Sequence, residues 1–133
     1  MSREAVNQAI NLSQRVGHVF VATADPSGLP HVAASRKITL LEDGTRVAVE
    51  DWFCPTTVAN VHQNHTVALV VWDPAGDVGY QLLGEMEKIE DMAVMNGYAP
   101  AVEYALPQVE RRLIIRVTKV IDFSHAPHSD EEK

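Results

Sequence analysis

Short runs of β-branched and apolar residues, separated by turn-forming residues, recur along most of this 133-residue chain. Three turn signals stand between such runs: residues 25–28 (Asp-Pro-Ser-Gly), 42–44 (Glu-Asp-Gly) and 73–77 (Asp-Pro-Ala-Gly-Asp). Proline presets the φ angle of a turn and glycine accepts a positive φ, so each signal ends one strand and begins the next. About six or seven strands punctuated in this way predict a small β-barrel, because a closed sheet has no exposed edges.

Two helices interrupt the predicted strands. An amphipathic helix is predicted over residues 3–15, with Gly17 as its stop, and a short helix over residues 56–63. Residues 90–107 are ambiguous: Met92, Val94 and Met95 suggest a short helix, broken by Gly97 and Pro100. Glycines 79 and 84 are predicted points of bulging or close approach. The predicted strands are residues 18–24, 29–41, 45–50, 66–72, 78–89 and 109–123, of which the run over 29–41 is either straight or bent.

Composition limits the class of partner. Apolar residues make up 46% and charged residues 22% of the chain, which is typical of a globular protein. A net charge of −7 with scattered lysines and arginines argues against a nucleic-acid partner. Neither a signal peptide nor an apolar run long enough for a membrane helix is found, so we expect a cytoplasmic protein with no membrane association. We expect one domain over residues 1–123 and a disordered acidic tail over residues 124–133.

Residues 51–61 (Asp-Trp-Phe-Cys-Pro-Thr-Thr-Val-Ala-Asn-Val) mark a place where a strand is followed by a helix. Pro55 is typical of an early helix position, where a missing N–H costs no hydrogen bond. The first N–H groups of a helix lack partners inside it and lie at the positive end of its dipole, which favours a phosphate. Hydroxyls of Thr56 and Thr57 would add two donors, so the segment is a candidate phosphate pocket. Capping of the helix by Thr56 or Cys54 is the alternative.

Three segments, in this order and spacing, carry a family resemblance: residues 28–32 (GLPHV), 41–49 (LEDGTRVAV), and 56–61 (TTVANV) followed by 66–71 (TVALVV). Over residues 14–123 the chain resembles the pyridoxamine 5'-phosphate oxidase-like FMN-binding split barrels, especially their short, barrel-only members. The resemblance implies a six-stranded split barrel of Greek-key type that forms a homodimer, with FMN held at the subunit interface.

The resemblance also implies which residues bind the cofactor. By position these are Ala34, Ser35, Arg36 and Lys37 on one strand, Asp51 and Trp52 at the end of the next, and Thr56 and Thr57 at the helix start. Alternation along the strand groups Lys37 with His31, Ser35 and Thr39, and Arg36 with Val32, Ala34, Ile38 and Leu40. Lys37 is therefore predicted to face the ligand. Arg36 is predicted to reach the phosphate from the rim or to pair across the dimer.

Two departures from the family pattern affect the expected activity. Many members have a basic residue at the helix start, where this chain has Thr56 and Thr57, so we expect modest FMN affinity. The chain also ends soon after the last strand, without the extension that carries substrate-binding basic residues in true pyridoxamine 5'-phosphate oxidases. That specific activity is therefore not expected.

Function remains open between two classes. One is an FMN-dependent oxidoreductase acting on a small molecule, in which the flavin performs the redox chemistry and no catalytic side chain is assigned. The other is a non-catalytic protein: a flavin carrier, an electron-transfer partner, or a barrel that binds haem or another cofactor. The substrate and the electron donor are not identified. Strands 66–72 and 78–89 carry enough apolar surface to predict a homodimer.

Several other side chains are of types that can bind metals, stack on a flavin or take part in catalysis. No metal site is predicted, because the pairs His62/His65 and His125/His128 have no further ligand at a suitable spacing. Trp52 and Trp72 could stack on a flavin ring, or pack in the core or a dimer interface. Cys54 could be a reactive thiol, but no histidine or second cysteine adjoins it. Glu85 and Glu87 share a strand face and could act as acid and base, or be ordinary exposed carboxylates.

Overall fold

One antiparallel sheet dominates the computed structural model, which describes residues 2–53, 55–94 and 109–133. The helices are α1 (Arg3–Val16) and α2 (Pro55–Gln63). The strands are β1 (Val19–Ala24), β2 (Pro30–Ser35), β3 (Lys37–Leu40), β4 (Arg46–Phe53), β5 (Thr66–Asp73), β6 (Val78–Val94) and β7 (Val109–Asp122). Their order in the sheet is β2-β1-β5-β6-β7-β4-β3. The prediction of a mainly β protein with few helices is confirmed.

Helix α1 packs one apolar face onto the sheet. It begins after Ser2, whose side chain accepts a hydrogen bond from the N–H of Ala5 at 3.2 Å. It ends at Gly17, which adopts a φ of 83° and donates its N–H to the Ser13 carbonyl. The predicted helix over residues 3–15 is thus confirmed, with Val16 added. Its buried residues are Ala5, Val6, Ala9, Ile10, Leu12 and Ser13.

The run predicted as one strand over residues 29–41 is bent at Arg36 into β2 and β3. These two strands lie at opposite edges of the sheet. A single stretch of chain therefore joins the two edges and curls the sheet into a barrel. At the junction, the hydroxyl of Ser35 donates to the Glu50 carbonyl of β4 at 3.4 Å. The described residues form seven strands, or six when β2 and β3 are counted as one bent strand.

The bend interrupts the alternation of side chains. Ser35 and Ile38 are both fully buried, although strict alternation would put them on opposite faces. Strict alternation therefore does not continue through the bend, and Ile38 is buried although Arg36 is exposed. The predicted orientation of Lys37 toward the ligand stays a prediction, because its side chain lies outside the described residues.

The hydrophobic core is formed by one face of each strand except β2, together with the apolar face of α1 and Val61 of α2. In β7, Leu113, Ile115 and Val117 are buried, whereas Arg116 and Thr118 point outward, as predicted. Other large, fully buried side chains include Val6, Val19, Val21, Ile38, Val47, Val49, Val67, Leu69 and Leu82. Alternating apolar residues in the sequence thus form a single core.

Strand β6 is longer than the predicted span of residues 78–89. It continues to Val94, which pairs with Val109 of β7. The predicted helical character of Met92 and Val94 is therefore wrong, because pairing with β7 supplies the backbone hydrogen bonds that a helix would otherwise provide. Met95, Gly97 and Pro100 belong to residues 95–108, which lie outside the described residues.

Where the sequence predicted a disordered acidic tail, residues 124–133 fold back along β7. The N–H of Asp122 donates to the Glu131 carbonyl at 2.8 Å, and the N–H of Lys133 donates to the Val120 carbonyl at 2.7 Å. The ammonium of Lys133 also lies 3.1 Å from a carboxylate oxygen of Asp122. Backbone pairing compensates for the few apolar side chains of this segment.

Candidate functional site

Helix α2 begins two residues after β4 ends, which makes a sharp passage from strand to helix. Pro55 is its first residue, as predicted. Thr56 is exposed at the helix start, whereas Thr57 is fully buried. The two threonines that the sequence treats alike therefore differ in exposure, and Thr56, unlike Thr57, is open to solvent.

The inward face of α2 carries Thr57, Asn60 and Val61. Their spacing of three and four positions places them on one side of a helix. The side-chain amide of Asn60 donates to the hydroxyl of Thr23 in β1 at 3.1 Å. Sequence reasoning did not assign Asn60 or Thr23 to the site, although the spacing in α2 was a usable signal for the inward face.

The end of β2 and the bend that follows it supply three of the predicted site positions. Ala34 and Arg36 are exposed, and Ser35 is buried with its hydroxyl directed to β4. The side chains of Lys37, Asp51 and Trp52 lie outside the described residues, as does Cys54. The assignments made to these four residues stay predictions.

Strand register nevertheless brings the predicted positions to one end of the barrel. In the ladder between β3 and β4, Lys37 is opposite Glu50. Asp51 is therefore the next position toward α2. The bend at Arg36 lies beside this end of β4, because the next residue, Lys37, pairs with Glu50. Helix α2 starts at Pro55, just after the same end of β4. The geometry thus gathers the strand and helix positions into one candidate site.

Two arginines of β7, which the sequence did not single out, lie beside this end of β4. Register places Arg111 opposite Asp51 and Arg112 opposite Glu50. The guanidinium of Arg112 lies 3.6 Å from the Glu50 carboxylate and 3.4 Å from that of Glu90. Arg111 pairs with Asp91 at 3.0 Å. These pairs neutralise charge next to the site, and only the register of β4 with β7 could have revealed them.

Trp72 lies at the far end of β5 from the connection with α2, six positions after Thr66, which is roughly 20 Å of strand. Its indole N–H donates to Asp77 at 3.0 Å. Its ring makes an edge-to-face contact with Phe123, with a centroid distance of 6.1 Å. Trp72 therefore takes part in packing at a distance from the candidate site.

The remaining candidates have structural partners. Glu85 lies 3.0 Å from Arg116, and Glu87 lies 2.7 Å from Arg46, so both carboxylates belong to ion pairs on the outer face of the sheet. The rings of His125 and His128 are stacked with a tilt at 5.7 Å. Within the described parts of the chain, no group of three or more His, Cys, Asp or Glu side chains could hold a metal ion.

Among the helices that the structure describes, none is long and apolar enough to cross a membrane.

The curled antiparallel sheet, closed by a bent strand and followed at the end of β4 by α2, defines the class of split β-barrels. A family model described as Pyridoxamine 5'-phosphate oxidase matches residues 3–120. This match covers most of the chain, and the protein therefore belongs to the pyridoxamine 5'-phosphate oxidase family.

Similar proteins are found by sequence and by structure. Uncharacterized protein MJ0282 of Methanocaldococcus jannaschii is 31% identical over 113 residues, which cover 82% of this chain and 74% of that protein. An FMN-binding protein from Syntrophomonas wolfei has a TM-score of 0.68 at 14% identity, over 92% of this chain and 88% of the other. An F420 reductase has a TM-score of 0.59 at 18% identity, over 83% and 93% of the two chains. These structural likenesses confirm the split-barrel fold.

Proposed function

We propose that this protein is an FMN-binding flavoprotein that holds the phosphate of FMN at the start of α2. The single observation that carries the proposal is the exposed Thr56 at the strand–helix junction, next to the bend that contains Arg36. Unpartnered N–H groups at a helix start and a hydroxyl donor suit a phosphate. Family membership and the FMN-binding neighbour from Syntrophomonas wolfei support the choice of cofactor.

The residues present fit FMN only in part. Thr56 supplies a hydroxyl, and Arg36 supplies a cation on an exposed position of the strand run. We propose that Thr57, which is buried, supports the helix rather than donating to the ligand. Lys37, Asp51 and Trp52 remain proposed cofactor contacts. With one hydroxyl in place of the predicted two, FMN affinity is expected to be modest.

The reaction proposed is the oxidation or reduction of a small molecule. A bound flavin supplies hydride or one-electron chemistry, and the protein supplies binding and orientation. No side chain is assigned as a catalytic acid or base. A flavin carrier is the alternative, and the neighbour described as an F420 reductase makes a deazaflavin a second ligand to test.

A homodimer would complete the site, and the outer face of β1 and β2 is proposed as its interface. Val32 is 61% exposed there, and Phe20 is also exposed. Register places Ala34 opposite Phe20 and Val32 opposite Ala22, so these apolar side chains form one continuous patch. A second copy is the commonest cover for such a patch.

The experiment compares FMN with riboflavin, which lacks the phosphate. In the first prediction, Thr56→Val weakens FMN roughly tenfold to 150-fold, because a hydrogen bond to a charged group contributes about 1.5–3 kcal/mol. Riboflavin affinity should not change. Gln63→Leu, at an exposed position of α2 away from its start, is the control and should leave the FMN-to-riboflavin ratio unchanged. Quenching of flavin fluorescence measures both affinities.

The same flavin titration also tests the role of Arg36 and the existence of the phosphate site. Arg36→Ala should weaken FMN more at low salt than at high salt, because an exposed charge is screened by ions. Equal affinities of the wild-type protein for FMN and riboflavin would contradict the phosphate site. The absorbance spectrum then separates the function classes: a flavin that bleaches with a nicotinamide donor supports the enzyme, an inert flavin supports a carrier, and a Soret band indicates haem.

A further inference from the structure

Helix α2 makes a buried polar contact through Asn60, away from the exposed start of the helix. The amide of Asn60 donates to Thr23 Oγ1 at 3.1 Å. Asn60 is 6% exposed and Thr23 is 4% exposed. Side chains enclosed in this way have no water to replace a lost partner, so breaking the hydrogen bond is costly. The contact therefore holds α2 against β1.

The rotation of α2 about its own axis decides which threonine faces outward. Successive residues of a helix are about 100° apart, so a rotation by one residue would bring Thr57 toward the position of Thr56. Val61 packs into the core by apolar contact, which has little directional preference. The hydrogen bond between Asn60 and Thr23 is directional and so distinguishes one rotation from another.

Backbone hydrogen bonds hold the C-terminal end of α2. At its C-terminal end, the N–H of Asn64 donates to the Asn60 carbonyl at 2.7 Å, and the carbonyl of His65 accepts from Met86 at 2.7 Å. These backbone bonds anchor the exit of the helix. Register also places Thr23 opposite His31, so the Asn60 contact ties the helix to the wall formed by β1 and β2.

We propose that Asn60 is a positioning residue: through Thr23 it fixes the rotation of α2 and so presents Thr56 to the phosphate of FMN. The inference rests on the proposed function of the α2 start. Asn60 itself does not touch the ligand, because it lies on the buried face of the helix. Its effect is therefore on discrimination between phosphorylated and unphosphorylated flavin.

The test is a double-mutant cycle on the full chain. Asn60→Leu and Thr23→Val should each lower the FMN-to-riboflavin affinity ratio roughly tenfold, a factor equivalent to about 1.4 kcal/mol. The double variant should lower the ratio no further, because either substitution alone breaks the same bond. Thr23→Ser retains the hydroxyl and should restore the wild-type ratio. Gln63→Leu, at an exposed position of α2, is the control and should leave the ratio unchanged.

Amide hydrogen exchange on the flavin-free protein separates this inference from the proposed function. In Asn60→Leu, the amides of α2 should exchange faster while those of β5 remain protected. If Asn60→Leu and Thr23→Val bind flavin with the wild-type FMN-to-riboflavin affinity ratio, the positioning role of Asn60 is overturned. The proposed phosphate site at the start of α2 would not be affected by that result. If the wild-type protein does not prefer FMN to riboflavin, the proposed function is wrong. If the amides of α2 exchange at the wild-type rate in Asn60→Leu, the positioning role of Asn60 is wrong. Should Asn60→Leu not fold, Thr23→Val and Thr23→Ser provide the same comparison.

Discussion

Asp77 connects the turn between β5 and β6 to the C-terminal segment. Its carboxylate accepts hydrogen bonds from the N–H of His125 at 2.7 Å, from the N–H of Ala126 at 2.8 Å and from the indole of Trp72 at 3.0 Å. These donors, above all the N–H of His125 and then that of Ala126, lower the pKa of Asp77. Asp77 also has a positive φ of 50°, which aspartate and asparagine tolerate better than most residues.

A second prediction follows for Asp77→Asn, which keeps the backbone conformation and removes the charge. A carboxylate with a lowered folded-state pKa stabilises the protein above the unfolded-state value, about 3.9, and loses that contribution as the pH falls through the folded-state pKa. The variant should therefore melt at a lower temperature than the wild type at neutral pH, with the difference shrinking below about pH 3.9. Melting curves across this pH range measure it. Asp130→Asn, at an exposed position, is the control, and a pH-independent difference for Asp77→Asn would contradict the assignment.

The pair Thr56 and Thr57 illustrates what could be predicted about single residues. Their position at a helix start was evident from Pro55 and from the end of the preceding strand. The burial of Thr57 depends on how α2 is rotated, which is set by Asn60 and its partner on another strand. Local sequence contains the three-and-four spacing of that face but not the identity of Thr23 as the partner.

At the scale of elements, turn residues predicted where most strands begin and end. They did not predict the strand ends that depend on pairing with a distant strand. The break at Arg36 has no glycine or proline to mark it, because it arises where one run must reach both edges of the sheet. The extension of β6 to Val94 likewise depends on β7, which begins at Val109. Register between distant strands also decides that Arg111 and Arg112 lie beside the candidate site.

The bulge in β6 provides a third prediction. The register with β7 shifts between Leu83 and Gly84, and a Cβ at Gly84 would collide with the carbonyl oxygen of Arg116. Gly84→Ala should therefore destabilise the protein by about 1–3 kcal/mol, since buried backbone must move. Gly76→Ala is the control, because its Cβ would meet its nearest neighbour, Asp73, at an ordinary 3.6 Å. Urea denaturation measures both, and equal free energies of unfolding would contradict the close approach.

At the scale of the whole molecule, the sheet has two outer surfaces of different character. Ion pairs that include Arg46–Glu87 and Arg116–Glu85 cover the outside of β4, β6 and β7. Apolar residues cover the outside of β1 and β2. Among the residues that the structure describes, the exposed side chains Phe20 and Val32 on the second surface are apolar, and this is the surface proposed for the dimer.

The last prediction tests that interface. Val32→Asp places a charge in the centre of the apolar patch and should convert the dimer to a monomer, because an unpaired charge is costly to bury. Light scattering should then return a mass near 14.7 kDa for the variant and twice that for the wild type. Gln63→Glu, on the exposed side of α2, should not change the mass. A monomeric wild type at micromolar concentration would contradict the dimer.

The strand order has a consequence for how the chain reaches its native state. β5 and β6 are joined by a short turn and can pair locally, but β4 pairs with β7, so that Arg46 is opposite Arg116, 70 positions later. Such distant pairing requires the closure of a long loop before its contacts form, which slows folding relative to helical proteins. We therefore expect the hairpin of β5 and β6 to form before β4 pairs with β7.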